Sequence, residues 1–322
     1  MVQKIDISYK TVVFIAFFLL SLWVIHLIRD LLLVLFVAII FMSALNPLVN
    51  LFVKIKIPRS LSIALTYIII IVISGGAITA TLQPLIEEST KLISNLPQLS
   101  TQILNVANIN QSVFHSELAN LSKNAFAITL AIFDNLLTII FLLVVTFYLL
   151  LERDNLEHRL ASLFVGREER VKKLIIRIEE KLGSWLRGQL ILSLIVGVIS
   201  YTGLTILNIP YALPLSLIAG VMEVVPVIGP IISAIPAVFI AATISPILGL
   251  GVAALYFIIQ QLENHLVVPQ VMKRAVGLNP LVVILAIALG SRLLGFAGAL
   301  LAVPLAVVLQ IIVTEIIEER KI

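Results

Sequence analysis

The sequence predicts an all-α fold, a polytopic α-helical membrane protein with six to eight transmembrane helices and two Pro/Gly-broken hairpins in its C-terminal half. Three observations carry that prediction. Of 322 residues, 60% are hydrophobic and only 12% charged, whereas soluble domains run near half apolar and roughly 25% charged. The apolar residues fall in continuous runs rather than in alternation, which points to spanning helices and away from a β-barrel. Prolines and glycines then cluster in the runs beyond residue 210.

Residues 1–82 read as three transmembrane helices. The first follows Lys4 and Lys10 and runs from about Thr11 to Ile28. It has the profile of a signal peptide but leads through Asp30 straight into a second apolar run with no small-residue cleavage site, so it is expected to be retained. The second helix ends at a basic loop, Lys54, Lys56 and Arg59, and the third covers about Leu61–Leu82. Residues 83–124 are rich in Ser, Thr, Asn and Gln, with Leu85, Leu92, Leu96, Leu99 and Ile103 at helical spacing. They read as a polar, amphipathic extracytoplasmic segment. A fourth transmembrane helix is expected over 125–151.

Residues 152–188 are charged. Val171, Leu174, Ile175, Ile178, Leu182, Trp185 and Leu186 share one helical face there, and basic and acidic residues fill much of the remainder. That pattern suits either a cytoplasmic helix lying in the membrane interface with Trp185 at headgroup depth, or a linker helix packed on protein. Trp185, Arg187, Gly188 and Gln189 then mark the entry to the next span as an interfacial anchor. Lys and Arg set orientation. Segment 152–188 holds nine, against two in the longer 83–124. Both termini and residues 152–188 are therefore expected in the cytoplasm and 83–124 outside, in the cell membrane.

Residues 189–322 read as a transport core with a weak internal repeat. Pro214 precedes Gly229 by fifteen residues and Pro280 precedes Gly295 by fifteen. Each glycine is followed by an apolar run and a further proline, Pro236 and Pro304. A span plus a broken hairpin, twice over and inverted, accounts for this, and inverted repeats with broken helices are a recurring transporter design. Ordinary spans kinked by Pro and Gly account for it equally.

The chemistry-bearing residues are few. Glu223 stands inside a long uncharged run, and a carboxylate at membrane depth is costly enough to mark a functional site by default. It is expected either to carry a proton or cation, or merely to cap a helix. Gln260, Glu263 and Asn264 share a helical face, suited to a polar pathway or cation ligation, or to a water-facing helix end. Arg292 is the lone cation of the last hairpin and is expected to pair with Glu223 or Glu263, or to snorkel to headgroups. Pro226, Gly229, Pro230, Pro236, Pro269, Gly277, Pro280, Gly295, Gly298 and Pro304 are the hairpin-shaping positions.

Other chemistry has no support. There is no cysteine, no GxxxxGK[ST] and no HExxH, and His26, His115, His158 and His265 lack ligand spacing. No metal, cofactor or nucleic-acid partner is expected, and no nucleophile–base pair suggests an enzyme. Any transport would be passive or driven by an ion gradient.

The strings Glu223-Val-Val-Pro-Val-Ile-Gly-Pro230 and Ile235-Pro236, then Gln260, Glu263, Pro269, Val276-Gly-Leu278 and Pro280, resemble the autoinducer-2 exporter family of bacterial and archaeal permeases. So do the closing block Gly290, Gly295, Gly298 and Ala302-Val-Pro304, and the signature Trp185-Leu-Arg-Gly-Gln189. The resemblance covers essentially the whole chain. It implies a multi-pass carrier with membrane lipids as surroundings, exporting autoinducer-2 or another small polar solute, or exchanging Na+ (or Li+) for H+. It also implies a homo-oligomer, with pentamers among the family's assemblies, and a part for Pro226, Gly229 and Pro230. Three classes follow: a secondary transporter, a channel-like or scaffold oligomer without coupled transport, and, last, an intramembrane enzyme.

Overall fold

The structure is a computed structural model, and it describes residues 9–107, 136–226, 228–271 and 277–319. Among these residues the chain is helical with turns and has no strand. Helix α1 (Tyr9–Leu27) and α2 (Arg29–Lys54) are separated by Ile28 alone. α1 is exposed on every side, as suits a lipid-facing helix, while α2 buries Ala38, Ile40, Met42 and Val49 on one face.

Helix α3 (Arg59–Ala107) has 49 residues, about 74 Å at 1.5 Å per residue, more than twice the ~30 Å hydrocarbon thickness. The expected third span and the start of the polar segment are therefore one helix, which runs on through Pro84 and Pro97. The rest of that segment and the first part of the expected fourth span lie outside the described residues. Helix α4 (Leu136–Ser162) continues past residue 151 into the charged stretch.

Helix α5 (Glu168–Ile206) joins the expected interfacial helix and the fifth span without a break. This changes the reading of its apolar face. Trp185 is only 3% exposed and packs in one cluster with Ile40, Leu182, Leu192, Val225, Ile287 and Ala302. The face packs on α2 and the C-terminal hairpin, so the Trp185 ring is covered by protein rather than exposed. Arg187, expected to anchor on a loop or on lipid phosphate, donates instead to the carbonyls of Ala44 (3.0 Å) and Ser43 (3.3 Å) on α2. Gly188 and Gln189 are buried as well.

Ion pairs fix the charged end of the bundle. Arg153 reaches Glu179 at 2.8 Å, Asp154 at 3.0 Å and Glu157 at 3.5 Å, Lys172 reaches Glu157 at 3.4 Å, and Arg59 reaches Asp154 at 2.8 Å. Burial works against the Arg153 charge, but Glu179, Asp154 and Glu157 outweigh it and hold the guanidinium pKa above its ordinary value.

Two helical hairpins follow. α6 (Ala212–Met222) and α7 (Ile228–Ile244) have 11 and 17 residues, about 16 and 25 Å, each shorter than the hydrocarbon core. Gly229 makes their junction possible, because a Cβ there would lie 1.8 Å from the Met222 carbonyl oxygen. α8 (Pro246–Leu262) starts with Pro246 at its first position and Ser245 as cap, the Ser245 hydroxyl accepting from the Ile247 amide at 3.2 Å. A π-helical turn (Glu263–Val267) and the short α9 (Val268–Val271) complete that element.

α10 (Pro280–Glu319) is interrupted at Leu294 (φ −134°, ψ 17°) and Gly295 (φ 61°, ψ −140°). A Cβ on Gly298 would lie 2.0 Å from the Gly290 carbonyl oxygen. Residues eight apart in a straight helix are about 12 Å apart, so 280–293 and 296–319 are two arms folded back on each other. Six helices among the described residues are long and apolar enough to cross a membrane, α10 among them by length.

Candidate functional site

The site forms where the first hairpin turns. Glu223 caps the end of α6, its amide donating to Ala219 at 3.0 Å. The turn Glu223–Pro226 is tight, with the Ile228 amide on Pro226 at 2.8 Å and the Gly229 amide on Val225 at 2.9 Å. This puts Glu223 inside the bundle, 1% exposed. Its backbone carbonyl accepts from the Gln189 side-chain amide at 2.6 Å, so α5 holds the hairpin tip. The Gln189 side chain is thus turned into the bundle, toward the hairpin tip.

Glu263 comes from the opposite direction. It opens the π-helical turn after α8 and is 6% exposed. Such turns widen a helix locally and occur often at functional sites. Gln260 donates to its Oε2 at 2.9 Å. The Glu223 and Glu263 carboxyl groups face each other within hydrogen-bonding reach. A hydrogen bond between two carboxyls needs a proton on one of them, and two bare carboxylates in contact would repel in low dielectric. Such a pair can share one proton or, with both groups ionised, ligate a cation.

The remaining expected site residues divide. Val225 packs in the same cluster as Ile287, Ala299 and Leu301 of the second hairpin, so the two broken segments meet. Pro226 and Pro230 are half-buried at the turn, and Pro236 and Pro304 sit within helices. Asn264 is exposed and does not join Gln260 and Glu263, because the π turn rotates it outward. Arg292 is also exposed and has no ion pair among the described residues, so the expected pairing with Glu223 or Glu263 is absent. It lies on the outer side of the second hairpin beside its turn. Pro269, Gly277 and Pro280 are exposed in the connection around residues 272–276, which lie outside the described residues together with Val227, Lys273, Arg274, Arg320 and Lys321.

A cavity of about 940 Å³ lies elsewhere, between α2 and α5, lined among others by Asn46, Asn50, Lys54, Lys181 and Arg187. Neither carboxyl of the pair lines it. No group of three His, Asp or Glu side chains that could hold a metal ion occurs among the described residues.

Comparison with known proteins finds relatives among transport proteins. Residues 12–318 match the family described as "AI-2E family transporter". The putative transport protein YrrI of Bacillus subtilis is 38% identical over 143 residues, 44% of this chain and 40% of that protein. The AI-2 transport protein TqsA of Escherichia coli K12 is 28% identical over 87% of this chain and 83% of its own length. A sodium-lithium/proton antiporter of Halobacillus andaensis is 25% identical over 85% of this chain and 86% of its own length.

Proposed function

The chain belongs to the AI-2E transporter family, and from that premise we propose that it is an ion-coupled secondary transporter of the cell membrane whose coupling site is the Glu223–Glu263 pair. The observation that carries the reading is that pair: two buried carboxyls within reach of each other, one at the tip of a hairpin whose helices are too short to cross a bilayer. Irregular backbone at membrane depth is tolerated where it lines a path or packs on protein. Both termini are cytoplasmic in this reading, on the strength of the Lys and Arg bias, and the first hairpin opens to the outside while the second opens to the cytoplasm.

The cargo is a small polar solute exported from the cytoplasm, and the name of TqsA supports autoinducer-2 as the first compound to try. The second reading, Na+(Li+)/H+ exchange, is favoured by the same pair, since a site that holds either one proton or one cation is an exchanger by construction. The name of the Halobacillus relative points the same way. A homo-oligomer is the expected working form.

The test is transport in everted membrane vesicles, following the pH gradient with a dye on adding Na+ or Li+, beside uptake of labelled autoinducer-2. Wild type should give at least one of the two signals, and Glu223→Gln should lose it. A Glu223→Gln protein that transports at the wild-type rate shows the pair to be uninvolved, and vesicles silent to all three additions favour a channel-like or scaffold oligomer.

A further inference from the structure

We propose that the cavity between α2 and α5 binds the phosphate head group of an anionic membrane lipid. The site is separate from the Glu223–Glu263 pair, neither of whose carboxyls lines it, and it does not depend on the coupling role given to that pair. Its origin is local. Pro47 lies inside α2 and has no amide hydrogen, so the Ser43 carbonyl four residues earlier lacks its helical donor. Arg187 of α5 fills that place, donating from Nη1 to Ser43 at 3.3 Å and to Ala44 at 3.0 Å. Gly183 lets the two helices touch there, since a Cβ would lie 2.2 Å from the Ser43 carbonyl oxygen. Beyond this contact, Asn46 to Lys54 on α2 and Ile176 to Ser184 on α5 supply the facing walls of the cavity.

The walls are net positive. Lys54, Arg153, Lys181 and Arg187 stand against Glu179 and Glu180, four cations to two carboxylates. Arg153 and Glu179 satisfy each other at 2.8 Å, and Glu180 is exposed to solvent, where its charge is screened. Arg187 and Lys54 have no ion pair among the described residues; the third bond of Arg187 goes to the Ser184 hydroxyl at 3.3 Å. A guanidinium has five N–H donors, so two remain after the bonds to Ser43, Ala44 and Ser184. A half-buried cation with only neutral partners is a cost that folding leaves uncompensated. A phosphate supplies what is missing, a negative charge and oxygens for a forked donor. The Asn46 Oδ1 is buried without a hydrogen-bond partner, and Asn50 follows one turn on, so the α2 wall adds carboxamides suited to the hydroxyls of a glycerol head group.

Depth selects a lipid over a free anion. An apolar span of about 20 residues that starts at Leu31 ends near Asn50, so the α2 wall straddles the boundary between hydrocarbon and head groups. Leu51 is 58% exposed and lines the same cavity, which gives an acyl chain a surface that inorganic phosphate would not use. In the orientation proposed above this end of the bundle is cytoplasmic, and basic pockets between spanning helices on that side suit anionic head groups.

The experiment uses the delipidated full-length protein in a neutral detergent. Melting is followed as dioctanoyl phosphatidylglycerol, dioctanoyl phosphatidylcholine or inorganic phosphate is added, for wild type, Lys54→Gln, Asn50→Trp and Lys56→Gln. Lys56 is the control, a basic residue two positions on that does not line the cavity. Phosphatidylglycerol should raise the wild-type melting temperature and saturate, and the other two additions should not. Lys54→Gln should weaken the apparent affinity about five-fold, the worth of one basic residue at a lipid surface. Asn50→Trp, which fills the cavity without changing charge, should weaken it at least as much, and Lys56→Gln should bind as wild type. If Asn50→Trp does not fold, the two lysine variants decide, because both side chains are exposed. Equal loss in Lys54→Gln and Lys56→Gln overturns the site in favour of diffuse surface charge. The same rise with phosphate alone overturns the lipid, the same rise with phosphatidylcholine overturns the selection for negative charge, and no saturable rise, or wild-type binding in a folded Asn50→Trp, overturns the cavity as the site.

Discussion

At the scale of single residues, the pair divides into what a sequence can and cannot show. Glu223 is visible in the sequence because it is the one acid in a long uncharged run, and Glu263 is visible as part of a polar patch. Their contact is not visible, since it depends on a hairpin folding back and on one extra residue in the turn after α8. The same π turn removes Asn264 from the site, which a regular 3.6-residue period would have kept beside Gln260. Two substitutions test the local geometry. Gly229→Ala places a methyl 1.8 Å from the Met222 carbonyl oxygen, so the backbone of the turn must shift, and overpacking of this kind costs about 1–3 kcal/mol or more. Its melting temperature in detergent should fall clearly, and a wild-type value would mean the hairpin tip is looser than described. Gln189→Leu removes the donor to the Glu223 carbonyl. It should lower transport more than stability, because the tip that carries Glu223 loses its tether while the apolar packing of α5 is kept. Equal loss in both would make Gln189 a folding residue only.

At the scale of elements, helix periodicity told which faces are apolar but not what covers them. The face of α5 bearing Leu182 and Trp185 reads identically for a helix on the membrane and for one in the bundle, and only the packing of α2 and α10 against it decides. The broken helices were legible for a sounder reason, because proline and glycine act locally on the backbone. The second hairpin separates two glycine roles. Gly298→Val should prevent the arms from closing, since even a Cβ would lie 2.0 Å from the Gly290 carbonyl oxygen. Gly295→Ala meets no atom within 4 Å, so its cost should be that of the backbone alone, φ 61° with ψ −140°, about 1–3 kcal/mol. Thermal unfolding of the two variants should therefore rank Gly298→Val well below Gly295→Ala. The reverse order would show that the turn conformation, not the arm contact, holds the hairpin.

At the scale of the whole molecule, length decides topology. α6 and α7 cannot each cross a hydrocarbon core of about 30 Å at 1.5 Å per residue, nor can 280–293, so neither hairpin turn should reach the far side of the membrane. If the charged end of the bundle is in the cytoplasm, as proposed, the open end of the first hairpin, Asn208 to Ser245, should face outward and Asn279 inward. A chain without cysteine makes this directly testable by single substitutions and an impermeant maleimide on intact cells. Ser245→Cys should react from outside, whereas Asn279→Cys should react only after the membrane is opened. Leu293→Cys, at the turn of the second hairpin, should stay unlabelled from outside, and Ile228→Cys should stay unlabelled from the cytoplasmic face in everted vesicles. Labelling of Leu293→Cys from outside would turn 280–293 into a full span and bring the count to eight. It would also move the Glu223–Glu263 pair away from the place where two short hairpins meet, and with it the physical reason for a coupling site there.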